Sequence, residues 1–197
     1  RDAQKAKQAA MNYLNTARES YGQSITGSIN GDDNFELAKS CDLLILSIPY
    51  ENIEDTCGKL KHTIGDECVV VSPIVPMTRT QSVFVYTPFE ETRKAAASMV
   101  ADALPPRSRV VSAFHTISEV KLRNIKQSLD ADTFVCGDDN NSVSRVNNLI
   151  SEINGLRPIY LGPLSTAYQA EILTPMLLNA AKMNKMNDTF LVFYSAG

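Results

Sequence analysis

Four short segments carry the residues best suited to chemistry. They read Ser47-Ile48-Pro49-Tyr50, Ser72-Pro73-Ile74-Val75-Pro76, Ala113-Phe114-His115-Thr116 and Leu161-Gly162-Pro163-Leu164. Each closes an apolar run, and ligands of open α/β sheets bind beyond the carboxyl ends of the strands. Proline and small residues dominate, and one segment holds an imidazole. An apolar cleft with few polar groups suits a planar ring. It also suits hydride transfer, which needs close stacking and dry walls more than an acid–base pair. No paired-carboxylate motif or nucleophile elbow stands out.

Each feature also has a plain structural reading. A single strand-end proline only stops a strand. His115 follows an apolar run, where a packed or backbone-bonded imidazole is at least as frequent as a catalytic one. Gly137-Asp138-Asp139 reads fully as a turn and helix cap, and Cys136 as core. It is the set of strand ends together that favours a site.

The elements that position these segments alternate between strand and helix. Residues 2–18 are rich in helix formers, and Tyr21-Gly22 breaks the pattern. Ser24-Ile25-Thr26-Gly27 reads as a short strand, and 32–40 as a helix capped by Asp32 or Asp33. Cys41 to Pro49 is a continuous apolar run, as expected of a strand buried on both faces. Glu51 to Leu60 is helical, and Cys68 to Pro73 is a second buried strand. Residues 74–86 read as a long loop of the kind that is often functional. Thr87-Pro88-Phe89-Glu90 has the form of a capping box opening a helix to about Leu104. Further strands are expected at Arg109–Phe114, Thr133–Cys136 and Arg157–Leu161. A helix at about 142–153 ends at Asn154-Gly155. From Ser165 the chain is mostly helical, kinked or divided at Thr174-Pro175. The fold class is therefore α/β with a mostly parallel sheet and a small helical C-terminal portion.

The 197 residues suit one domain of moderate size, with 44% apolar residues and a net charge of −3. No polybasic footprint for nucleic acid appears, and no apolar run reaches the length of a membrane span. Cys41, Cys57, Cys68 and Cys136 form no C-x-x-C pair, and there are two histidines, so no metal site is expected. Reduced, buried thiols and the lack of a signal peptide point to the cytoplasm.

Several segments together resemble the coenzyme F420-dependent NADP oxidoreductase family. They are Ser24–Gly27, Cys41-Asp42 with Ser47–Tyr50, Val70–Pro76, Val110–Ile117, Val135–Asp139, Leu149–Pro158, Gly162–Ser165 and Leu173–Pro175. Their order and spacing match across nearly the whole chain. The resemblance implies a Rossmann-type NADP-binding domain at 1–162 and a helical portion at 163–197 that completes a deazaflavin cleft. It implies an EC 1.5.1 type oxidoreductase and a homodimer, with NADP and coenzyme F420 as small-molecule partners. Nicotinamide and deazaflavin would stack so that hydride passes directly between them. Carried over, Arg1 would meet the 2′-phosphate of NADP, and Ile48, Pro49 and Tyr50 would border the NADP side. Ser72, Pro73, Val75, His115, Thr116, Pro163 and Leu164 would border the rings, with His115 the candidate for ring positioning. The loop at 74–86 would help cover the deazaflavin.

Two departures stand out. Tyr50 replaces the family's tryptophan with another aromatic. The family also opens with a strand, Gly-rich turn and helix of about 30 to 40 residues, and no G-x-G-x-x-G occurs here. The chain is therefore read as lacking that start through truncation or proteolysis rather than natural loss. The alternatives are a related NADPH-dependent flavin or metal reductase domain, and a non-catalytic, degenerate nucleotide-binding module.

Overall fold

The structure is a computed structural model that describes residues 3–22, 25–88, 95–187 and 189–194. Arg1, Ser24 and Glu90, invoked above, lie outside the described residues. In chain order the strands are β1 Leu43–Ile45, β2 Val69–Ser72, β3 Met77–Arg79, β4 Phe84–Tyr86, β5 Arg109–Ser112, β6 Ala131–Gly137 and β7 Leu156–Gly162. The helices are α1 Ala3–Tyr21, α2 Asn34–Ser40, α3 Ile53–Leu60, α4 Ala96–Ala103, α5 Glu119–Arg123, α6 Asn140–Ser151, α7 Ala167–Glu171 and α8 Leu173–Met183.

Five strands form one sheet in the order β1-β2-β5-β6-β7. Every residue of β2 is buried, as its unbroken apolar run implies. Successive side chains leave the sheet on opposite faces. Val70 and Val110 pack with Ile53, Cys57 and Val100 from α3 and α4. Val69, Val71 and Val111 pack with Val143, Val146 and Ile150 of α6. That 3-4 spacing on α6 is what turns one helical face to the sheet. Asp139 caps α6 by accepting from the Ser142 N–H, and Gly155 turns the chain beyond its end with φ +74°. A side chain at Gly155 would also collide with Ser128 and the backbone of Leu129 and Asp130.

The structure corrects several sequence expectations. Among the described residues β1 pairs with β2 alone, and Ile45 is 46% exposed. Ile25-Thr26-Gly27 forms no strand, and its residues are exposed or half-buried. Residues 74–86 are not a plain loop. They include the antiparallel hairpin of β3 and β4, whose short, half-exposed strands carry little hydrophobic pattern. Thr87 and Pro88 are not helical, residues 89–94 lie outside the described residues, and Ala95 before α4 is extended. Thr87 N–H donates to Pro76 O, and its hydroxyl pairs with Thr78 at 2.8 Å, which extends the hairpin. Beyond Met183 the chain leaves the helix, and the Asp132 N–H donates to Leu191 O.

The main sheet is mostly parallel, as expected, with one antiparallel pairing. β1, β2 and β5 are parallel, but β5 and β6 are antiparallel, with Ser112 opposite Cys136. β7 then runs parallel to β6. The β5–β6 connection holds only the five-residue α5, too short a helix for a full crossover of the sheet. Chain direction in β6 and β7 is therefore opposite to that in β1, β2 and β5, while Cys136 and Gly162 near their ends stand level with Ser112 at the end of β5.

Candidate functional site

At the carboxyl edge of β2 and β5, Ser72 and Ser112 are register partners, and both are fully buried. The Ala113 N–H donates to Ser72 O at 3.2 Å. Phe114 then takes φ +70°, a left-handed conformation that is unusual for a bulky residue. Its N–H is held by Thr133 Oγ1 at 3.2 Å. This turn folds His115 back over the strand end, where Nε2 lies 3.2 Å from Ser112 Oγ. From the other side, Thr174 at the start of α8 donates to His115 O at 2.7 Å. Strain at a strand end, fixed from three elements, is a frequent mark of functional sites.

The side chains gathered here have unused bonding capacity. Ser72 Oγ, His115 Nδ1 and Thr116 Oγ1 are buried without a hydrogen-bond partner. Among the described residues one other buried side-chain atom, Asn147 Oδ1 on α6, shares that condition. Leaving such a group unpaired costs about 1–3 kcal/mol. Three such atoms gather at this one strand edge. Burial pushes the His115 pKa down to about 4, against a weaker upward pull from the Ser72 backbone. The imidazole is thus neutral at neutral pH. It can offer one hydrogen bond to an uncharged polar group, and it is not an acid.

The other expected residues divide. Pro73 and Val75 are half-buried in the segment that leads from β2 into the hairpin. Ile48 and Pro49 line a cavity of about 400 Å³ with Asn34, Leu37 and Ser47, beside the outer edge of β1. Tyr50 does not line it: the ring is buried in the core with Ile53 and Val70. It is therefore no exposed stacking platform. Pro163 and Leu164 follow β7, whose last residue Gly162 stands level with Cys136 and, through it, with Ser112. Pro163 is exposed, and Leu164 is buried in the core with Cys136 and Val110. Arg1 lies outside the described residues.

Sequence reasoning missed Glu171. It is fully buried, and its carboxylate accepts from Ala96 N–H at 2.8 Å, Ala97 N–H at 3.1 Å and the Tyr86 hydroxyl at 3.2 Å. It thus caps α4, which has no cap of its own, and ties the hairpin to that helix. Burial raises its pKa to about 7, and these three donors pull it back. Asn179 of α8 holds the hairpin further, accepting from Phe84 N–H at 2.7 Å and donating to Phe84 O at 2.8 Å. A signal existed: Glu171 is the one charged residue between Arg157 and Lys182.

The fold and its polar strand edge define a Rossmann-like α/β protein of the dinucleotide-binding kind. Comparison with known proteins narrows the class. The chain is 31% identical over 178 residues to the F420-dependent NADP reductase of Methanocaldococcus jannaschii, covering 90% of this chain and 78% of that protein. It is 28% identical over 189 residues to the F420-dependent NADP reductase of Methanothermobacter thermautotrophicus, covering 95% and 79%. The chain belongs to the F420-dependent NADP reductase family. Among solved structures it resembles a protein of Arthrobacter sp. FB24, provisionally described as an F420-dependent NADP reductase. The TM-score is 0.65 at 17% identity, covering 81% of this chain and 73% of that one. A hypothetical protein of Sinorhizobium meliloti follows the same fold with a TM-score of 0.56 at 20% identity, covering 83% and 79%. No family model matches the chain. No helix among the described residues is long and apolar enough to cross a membrane.

Proposed function

We propose that this chain transfers hydride directly between NADP(H) and coenzyme F420 at the carboxyl edge of β2 and β5. The observation that carries the reading is the trio of buried, unpartnered polar atoms on Ser72, His115 and Thr116. Flat amide-bearing or carbonyl-bearing rings would supply the missing hydrogen bonds, and the surrounding edge is apolar. The rings supply the hydride donor and acceptor; the protein supplies position and dryness.

In this reading, neutral His115 fixes ring orientation through Nδ1 while Ser112 and Thr174 hold the imidazole and its backbone. Ser72 and Thr116 add hydroxyls that accept or donate as the ring requires. No proton need move at His115, which suits a group with a depressed pKa. Pro73 and Val75 form part of the wall, and the β3–β4 hairpin helps cover the deazaflavin. Ile48 and Pro49 border the NADP side, and Arg1 meets its 2′-phosphate. Residues 1–162 form the NADP-binding domain, and 163–197 complete the cleft through α8. The enzyme acts in the cytoplasm as a homodimer, as an EC 1.5.1 type reductase.

The test is NADPH oxidation by the full-length protein with F420, FAD or FMN as acceptor. Turnover with F420 and not with flavins is expected. Turnover only with flavins would transfer the protein to the flavin-reductase reading.

A further inference from the structure

A second feature lies at the amino ends of β1 and β2, the edge opposite the polar trio. Cys41 ends α2 just before β1, and Cys68 immediately precedes β2. Adjacent parallel strands bring the two residues together, with Val69 N–H donating to Asp42 O at 3.0 Å. Their Sγ atoms stand 3.6 Å apart. Arg145 of α6 clamps the same place, donating to Asp42 O at 3.0 Å and Glu67 O at 3.2 Å. No disulfide joins any of the four cysteines in the structure. Among the described residues no group of three or more metal-ligating side chains exists, so the pair is not part of a larger metal set.

We propose that Cys41 and Cys68 form a reversible disulfide, a redox modification site separate from the cofactor edge, with a hydroperoxide as oxidant. Closing the bond requires the sulfurs to approach by about 1.5 Å. Cys41 is half-buried and reachable, whereas Cys68 is buried. Burial and its Cys41 neighbour push the Cys68 thiol up to about 12, with Arg145 pulling down and Asp42 adding a small rise. Cys41 is therefore the attacking thiol. Its thiolate sulfur takes the distal oxygen of hydrogen peroxide, the O–O bond breaks, and the leaving hydroxide takes up a proton as water. Cys68 sulfur then attacks the Cys41 sulfenic acid. The S–O bond breaks as S–S forms, and the expelled hydroxide accepts the Cys68 proton. Two thiols and one peroxide give one disulfide and two waters.

The linkage closes the chain from residue 41 to residue 68 and ties the start of β1 to the start of β2. Restricting the unfolded chain in this way should raise Tm on the order of 5–10 °C. The test treats the full-length protein with hydrogen peroxide, alkylates remaining thiols and maps peptides without reduction. A Cys41–Cys68 linked peptide, a loss of two hydrogens from the intact mass, a raised Tm and reversal by dithiothreitol are expected. Cys41→Ser should abolish linkage and Tm rise together while NADPH oxidation is unchanged. Cys68→Ala supplies the same control if Cys41→Ser does not fold. Sulfonate at Cys41 without linkage, linkage through Cys57 or Cys136, or an equal Tm rise in Cys41→Ser would overturn the proposal.

Discussion

Two buried polar sites in this molecule are built on opposite principles. Around Glu171 each donor in reach is used: two N–H groups of α4 and the Tyr86 hydroxyl converge on one carboxylate. Around His115 the backbone is held tightly, yet three side-chain atoms point at no partner. A filled site holds the fold, and an unfilled one is kept at a stability cost for something else to fill. The contrast lies between residues that are all buried.

The largest effect should follow from emptying the filled site. Glu171→Ala leaves the buried Ala96 and Ala97 N–H groups unpaired, and should cost about 4 kcal/mol in denaturant unfolding. Glu171→Gln, which keeps an acceptor, should cost clearly less. Equal losses would show that packing, not capping, holds α4.

pH should then pull the two sites in opposite directions. The folded-state pKa of His115 is depressed from 6.5 to about 4. Its contribution is complete above about 6.5 and is lost as pH falls toward 4, by about 3 kcal/mol. The folded-state pKa of Glu171 is raised from 4.5 to about 7. Its contribution is complete below about 4.5 and is lost as pH rises toward 7, by a similar amount. In Glu171→Gln, stability should therefore rise with pH between about 4 and 6.5. In His115→Gln it should fall with pH between about 4.5 and 7. Identical profiles in both variants would erase the distinction.

Much of this was legible in the sequence, for reasons that also mark where legibility ended. The unbroken apolar run of β2 and the 3-4 spacing of α6 encode burial, and burial located the strand ends. Ser72, Pro73, His115 and Thr116 were placed at strand ends in that way. The one antiparallel pairing, β5 with β6, was not legible, because a strand buried on both faces reads alike in either direction. Tyr50 was assigned to the NADP side by the family resemblance, and its ring packs inward in the core with Ile53 and Val70. The cap of α4 was sought in neighbouring residues, whereas it comes from Glu171, 75 and 74 residues away. Tertiary partners of that kind leave no local pattern.

Smaller effects belong to the unfilled site. Thr116→Val removes a hydroxyl with no partner in the fold, so Tm should hold or rise slightly. The KM for F420 should rise about three-fold, consistent with loss of one modest hydrogen bond. A fall in Tm with unchanged KM would make Thr116 structural.

The most direct measurement is Ser72→Ala, followed by Tm and by kcat/KM for NADPH oxidation with F420. Ser72 Oγ is buried and unpartnered, so its removal should leave Tm unchanged or raised and lower kcat/KM about tenfold. A lowered Tm with unchanged kcat/KM would contradict the account, because Ser72 would then serve the fold and not the reacting rings.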